Sequence, residues 1–208
     1  ALAGGVNLVL LPDTTIAMSK AGMLSPDGRC KTFDESADGI GRGEGCGILV
    51  LKRLSDAQKA SDNILAVIKG SAVNQDGPSS GFSVPNSSSQ QQVIRQALKM
   101  ANVEPSQISY IEAHGTGTPL GDPIEIRSLA KVYGEGRFQQ QPLLVGSAKT
   151  NIGHLESAAG VAGIIKVILQ LQHQQIAPHL HLDHPTSKFN WDDYPMIVPT
   201  QLTAWEIK

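Results

Sequence analysis

The sequence carries no long run of like charge, no long apolar run and only two cysteines. Its 17 Lys and Arg stand against 19 Asp and Glu, spread along the chain, so nothing gathers a field for a phosphate backbone or an anionic membrane. Nucleic acid and membrane are therefore excluded as partners. The longest apolar stretch, Val161 to Leu171, is interrupted by Lys166 and is too short to span a bilayer. No basic segment followed by an apolar run and a cleavage site stands at the start, so the chain reads as cytoplasmic. Cys30 and Cys46 then read as two reduced thiols of an intracellular protein rather than a disulfide. No internal repeat and no linker divides the chain. With 208 residues, 40% of them apolar, it can bury one core or form part of a larger one.

What is present is an alternation of strand-like and helix-like segments. Ala1 to Leu11 is small and β-branched, has no helical stripe and ends at Pro12 and Asp13, which predicts a strand. A natural N-terminus rarely begins inside one. Gly47 to Leu51 predicts a central strand, entered through Gly41-Arg-Gly-Glu-Gly-Cys-Gly47, whose glycines suit close backbone approach. Ile64 to Val73 predicts another strand with turn chemistry in Asn74-Gln-Asp-Gly77, followed by a Ser-, Gly- and Pro-rich loop to Ser89. Val93, Ile94, Ala97, Leu98 and Ala101 recur at threes and fours, one face of a helix from Gln90 to near Asn102. Ile108 to Ala113 and Leu143 to Ala148 predict short strands. Ile124 to Tyr133 between them predicts a helix, with Asp122 as its cap and Pro123 in its first turn. Glu156 to Gln172 is apolar nearly all round, which predicts a helix buried on most sides. The tail from Pro178 to Lys208 is irregular. Alternating strands and helices predict an α/β sheet covered on both faces.

Two segments carry chemistry, each placing a histidine where a strand runs into a loop, the edge at which α/β sheets bind ligands. The first is Glu112-Ala-His-Gly-Thr-Gly-Thr-Pro-Leu-Gly-Asp-Pro-Ile-Glu125, and the second is Ser147-Ala-Lys-Thr-Asn-Ile-Gly-His-Leu-Glu156. His154 at the mouth of a helix is expected to be neutral, because the unpaired N–H groups there already carry partial positive charge. With His114 neutral and aimed at the same point, the pair makes an oxyanion or enolate clamp, each donor worth about 3 kcal/mol of barrier. Lys149 could orient the site. The plainer alternatives are histidines that serve as structural hydrogen-bonders, Thr116 and Thr118 as turn caps, and Lys149 as a strand-end lysine reaching solvent.

Together these two motifs resemble the histidine motifs of ketosynthases of modular type I polyketide synthases, relatives of the fatty acid condensing enzymes. Ala3-Gly-Gly-Val-Asn7, Ser19-Lys-Ala-Gly-Met-Leu-Ser-Pro-Asp-Gly-Arg-Cys-Lys-Thr-Phe-Asp34, Arg42-Gly-Glu-Gly-Cys-Gly47 and Gly70-Ser-Ala-Val-Asn-Gln-Asp-Gly77 resemble the same family in its order. The resemblance implies a thiolase-like layered α/β fold (α/β/α/β/α), incomplete here. Residues 1–63 would be the remainder of the N-terminal half, and 64–208 a truncated C-terminal half. It implies decarboxylative Claisen condensation of an acyl thioester with a malonyl-type extender. No cofactor is bound by the domain itself; substrates ride on the phosphopantetheine of acyl carrier protein. The implied partners are that carrier and neighbouring synthase domains, with a homodimer in the intact enzyme. By position, His114, His154 and Lys149 match the catalytic residues, and Thr116 and Thr118 match threonines lining the pantetheine arm. Glu112, Asp122, Asn151 and Glu156 match supporting positions.

The family nucleophile lies in a Thr-Ala-Cys-Ser-like turn upstream of the Ala-Gly-Gly-Val-Asn segment, and this chain starts after it. Neither Cys30 nor Cys46 sits where a helix dipole lowers a thiol pKa, so both are expected to be structural and the piece alone inert. The closing strand segment of the family is also missing, which predicts exposed sheet edges and poor stability. A non-condensing relative, acting as decarboxylase, chain-length partner or scaffold, is the alternative. Gly41 to Gly47 precedes its strand and lacks a following Gly-Lys-Ser/Thr, which argues against a phosphate loop. His179, His181, Asp183 and His184 read as an accidental surface cluster before a metal site, and no metal is expected.

Overall fold

The computed structural model describes residues 1–79, 81 and 84–205. The small-residue opening forms β1 (Leu2–Asn7), followed by α1 (Asp13–Lys20), β2 (Gly45–Val50), α2 (Leu54–Lys59) and α3 (Ser87–Ala101). Then come β3 (Tyr110–Glu112), α4 (Gly121–Tyr133), β4 (Leu143–Gly146), the one-turn α5 (Lys149–Ile152) and α6 (Ala159–His173). Short strands β5 (Gln175–Ile176), β6 (Met196–Ile197) and β7 (Thr203–Ala204) complete the order. Among the described residues no helix is long and apolar enough to cross a membrane.

β3, β4 and β6 form a parallel sheet with β4 in the middle, and α4 makes the crossover from β3 to β4. Parallel pairing demands such a crossover, because a tight turn cannot reverse direction twice. Ile126, Leu129 and Val132 of α4 pack with Leu143 and Val145 of β4, and with Phe33, Phe189 and Met196, into the main core. The apolar stripe expected for the third helix lies on this core through Leu98 and Ile94. Asn86 caps that helix by accepting the N–H groups of Ser88 and Ser89, and Asn102 ends it in a left-handed conformation. β1 and β2 pair antiparallel, and their inner face lies on α6, where Leu49 meets Leu155 and Val161.

Several expectations require correction. Ile64 to Val73 has strand composition, yet no residue of it joins a sheet, and Ile64, Leu65, Val67, Ile68 and Val73 are exposed. Composition sets strand propensity, but a strand forms only beside a neighbour that shares its ladder. β2 is not central; its only ladder partner among the described residues is β1, and Ile48 and Val50 face outward. The segment from Glu156 to Gln172 divides into a 3-10 turn, Glu156–Ala158, and α6. α6 buries only Val161, Gly163 and Gln170, and its exposed Ile164 and Leu169 show a half-covered helix. Asp122 does not cap α4: the helix starts one residue earlier, and the carboxylate turns back to the loop before it. Of the Ser-, Gly- and Pro-rich loop, residues 80, 82 and 83 lie outside the described residues, as do 206–208 of the irregular tail.

Candidate active site

The end of β3 and the end of β4 are tied together before either histidine appears. The Glu112 carboxylate accepts the Tyr110 hydroxyl at 2.7 Å, the Lys166 ammonium at 2.8 Å and the N–H of Ala148. His114 leaves β3 beyond this anchor. Its N–H and that of Gly115 donate to the two oxygens of Glu125, at 2.7 and 2.8 Å.

His154 is pinned from the other side. Its N–H donates to Gly41 O at 2.7 Å, and its carbonyl accepts from Gly43 N–H at 3.0 Å, a parallel bridge centred on Arg42. A Cβ on Gly43 would lie 2.3 Å from Ile152 O, so only glycine lets the two backbones come this close. Glu156 N–H donates to His154 Nδ1 at 2.9 Å, which leaves the neutral ring's proton on Nε2. Glu156 reaches that geometry at φ +46°, and Arg42 holds its carboxylate with Nε at 2.9 Å and Nη2 at 2.8 Å. The third Arg42 donor reaches Thr15 Oγ1 at 2.6 Å.

The two rings meet. Their centroids are 5.6 Å apart and their planes stand at 84°. Both imidazoles are pushed below the ordinary histidine range, first by loss of water and then by the Lys149 ammonium; His114 falls to about 4. His114 keeps an open edge, which tempers the loss of water without reversing the direction. Burial likewise lowers Lys149, 8% exposed, while Glu125 and Glu112 oppose that shift. Burial raises Glu125 to about 7 against the pull of the two backbone N–H groups. The neutral state expected of His154 from a helix N-terminus thus has another origin: a 3-10 turn, not α6, follows it, and burial plus the Lys149 cation favour the uncharged ring. An uncharged imidazole donating from Nε2 suits a developing oxyanion, since it stabilises charge without giving up its proton.

Thr116 is buried, and its hydroxyl lies 3.3 Å from that of Thr118, which accepts the first N–H of α4 from Gly121 at 3.2 Å. Asp122 binds the N–H groups of Gly117 at 3.1 Å, Thr118 at 3.3 Å and Phe33 at 2.8 Å, and so shapes the loop beyond His114. Asn151 is exposed, accepts the Thr150 hydroxyl at 3.3 Å and lines an apolar groove of about 530 Å³ beside α6, with Ile152, Leu155, Val161 and Ile165. The sequence motifs do not single out Glu125 and Arg42. Glu125 stands three residues after Asp122 on one face of α4, a spacing that signals it; Arg42 carries no such local signal.

Cys30 is buried, accepts Gly41 N–H at 3.3 Å, and burial raises its thiol pKa; Cys46 is exposed in β2. The glycine run from Gly41 holds His154 through its backbone rather than opening a helix. His179 is buried with Nε2 3.0 Å from Thr32 O, and the N–H groups of Asp183 and His184 donate to Asp34. Among the described residues no three metal-ligating side chains converge.

Residues 1–57 match the family model described as beta-ketoacyl synthase, N-terminal domain, and residues 65–183 match beta-ketoacyl synthase, C-terminal domain. A phenolphthiocerol/phthiocerol polyketide synthase of Mycobacterium tuberculosis (strain CDC 1551 / Oshkosh) is 53% identical over 206 residues, 99% of this chain and 11% of that protein. Polyketide synthase GfsA of Streptomyces halstedii is 49% identical over 205 residues, 99% of this chain and 3% of that protein. The solved ketosynthase from module 6 of the bacillaene synthase of Bacillus subtilis 168 superposes with a TM-score of 0.95 at 45% identity, covering 100% of this chain and 37% of that one. The chain spans a little over a third of that ketosynthase and about a tenth of the mycobacterial protein. It belongs to the beta-ketoacyl synthase family, as part of a polyketide-type ketosynthase with the thiolase-like fold.

Proposed function

We propose that this segment supplies the charge-stabilising half of a decarboxylative Claisen condensation in the intact synthase. A malonyl-type thioester on the phosphopantetheine arm of acyl carrier protein loses carbon dioxide. The electron pair of the broken C–C bond becomes an enolate whose negative charge rests on the thioester oxygen. N–H donors from His114 and His154 stabilise that oxygen, and Lys149 keeps both rings neutral by its positive field. The enolate carbon then attacks an acyl thioester held on a cysteine elsewhere in the polypeptide. A C–C bond forms, the thiolate leaves, and the oxyanion of the tetrahedral intermediate takes the same donors. Thr116 and Thr118 lie along the loop where the pantetheine arm would run. Residues 1–63 would finish the N-terminal half and 64–208 begin the C-terminal half, in a cytoplasmic homodimer with neighbouring synthase domains.

The observation that carries this reading is the near-perpendicular pair of rings, 5.6 Å apart, with Glu156 N–H donating to His154 Nδ1 so that a neutral ring presents its proton from Nε2. In an intact ketosynthase containing this segment, His114→Ala or His154→Ala should each cut carbon dioxide release from a malonyl-loaded carrier by on the order of a hundredfold. Near-normal release from either variant would refute the assignment.

A further inference from the structure

Gly115, the residue that follows His114, is held at both its backbone polar groups. Glu125 takes both its N–H group and that of His114. The Gly115 carbonyl accepts two hydroxyls, Thr32 Oγ1 at 2.7 Å and Ser147 Oγ at 3.0 Å, from side chains that are each 0% exposed. One donor is enough to satisfy a buried carbonyl, so a second fixes its direction rather than its solvation. The same two residues shape the space. Gly115 sits at φ +42°, and a Cβ there would lie 2.6 Å from Thr32 Cγ2 and 2.8 Å from Ser147 Cβ.

The two hydroxyls come from separate parts of the chain, and neither is free to swing. Thr32 belongs to the segment between α1 and β2; its carbonyl meets His179 Nε2 at 3.0 Å, and the next N–H, of Phe33, is tied to Asp122. Ser147 directly follows β4, and its Oγ also accepts Lys149 N–H at 3.3 Å, at the start of α5, which leads to His154. Backbone rotation at Gly115 is carried into the residue before it and would re-aim the His114 ring, and Gly115 is clamped by its carbonyl against both of the other segments that build the site.

We propose that Thr32 and Ser147 are positioning residues, which set the His114 ring against His154 by holding the Gly115 carbonyl between two hydroxyls. The inference rests on the role proposed above for His114. In an intact ketosynthase containing this segment, Thr32→Val keeps the shape and loses the hydroxyl, whereas Thr32→Ser keeps the hydroxyl. Thr32→Val should lower kcat for carbon dioxide release about tenfold with little change in KM for the malonyl-loaded carrier, because a misaimed donor fails in the transition state more than in binding. Thr32→Ser should recover most of that loss, and Ser147→Ala should repeat it if Thr32→Val does not fold. His114→Ala is measured alongside. If it is crippled while Thr32→Val and Ser147→Ala run at the wild-type rate, the clamp has no positioning role. Equal losses in Thr32→Val and Thr32→Ser would also overturn it, since packing rather than the hydroxyl would then matter. An active His114→Ala enzyme would remove the functional reading and the clamp together.

Discussion

Replacing Arg42 by methionine removes the guanidinium and keeps most of the stem, which asks whether the turn presenting His154 is held by a residue far away in sequence. Arg42 donates one hydrogen bond to Glu156 and one to Thr15, and its Nη2 makes a further ion-pair contact with the same Glu156 oxygen. Breaking a fully buried ion pair costs about 3–5 kcal/mol, and an exposed pair contributes about 0.2–1 kcal/mol. Here the arginine side chain is 11% exposed and the glutamate 35%, so water recovers part of the loss at the carboxylate. A destabilisation of about 2 kcal/mol follows from that intermediate burial. Glu156 also sits in a left-handed conformation that costs about 1 kcal/mol or more for a non-glycine residue. Without Arg42 the turn is free to relax, its N–H leaves His154 Nδ1, and the ring loses its bias toward the Nε2 proton. Denaturant unfolding of an intact ketosynthase would read the first effect, as a lower midpoint at constant m-value. Nitrogen-15 spectra of the His154 ring would read the second, as a mixture of tautomers. Stability within about 0.3 kcal/mol of the parent, with the Nε2 tautomer retained, would show that the backbone bridge to Gly41 and Gly43 suffices without Arg42.

The protonation of His114 should follow its surroundings: its ring is expected to titrate near pH 4 by NMR, and Lys149→Met should move that midpoint upward while burial keeps it below the free value. An unmoved midpoint would refute the influence of the ammonium. Because the folded value lies below the unfolded value of about 6.5, the unfolded chain binds more protons between them, so this ring's contribution to stability is intact above about pH 6.5 and is lost as pH falls toward 4. Glu125, raised from 4.5 to about 7, acts with the opposite sign between those values. Incubated alone with an acyl thioester, this chain should show no acyl adduct on Cys30 or Cys46 by intact mass spectrometry, given the buried, raised thiol of Cys30. Rapid stoichiometric labelling of either cysteine would overturn that expectation.

The histidine motifs are legible in the sequence because their chemistry is local: His114 follows β3, His154 follows the single turn of α5 beyond β4, and the glycines and threonines around each are contiguous. The α4 crossover and the stripe on α3 are legible for the same reason, since helical periodicity is written within a single segment. Other features depend on partners that a linear pattern does not contain. Ile64 to Val73 has the right composition for a strand, but hydrogen bonding needs a second chain segment beside it. Asp122 stands before an apolar run as a cap would, whereas its partners include Phe33, whose approach is purely tertiary. Apolar residues all round α6 predict cover on every side; periodicity reports which faces are apolar, not whether something lies over them. Arg42 gives no local sign because its acceptor is 114 residues away.

That separation bears on how the molecule matures on the ribosome. The backbone groups of Gly41 and Gly43 emerge from the tunnel long before the histidine that satisfies them, and Thr32 likewise waits 83 residues for its acceptor. Until translation passes Glu156 the backbone groups of Gly41 and Gly43 lack their native partners, and neither imidazole has its full scaffold. The meeting of the two histidines is therefore a late event in biogenesis, reached only when sequence-distant pieces close on one another.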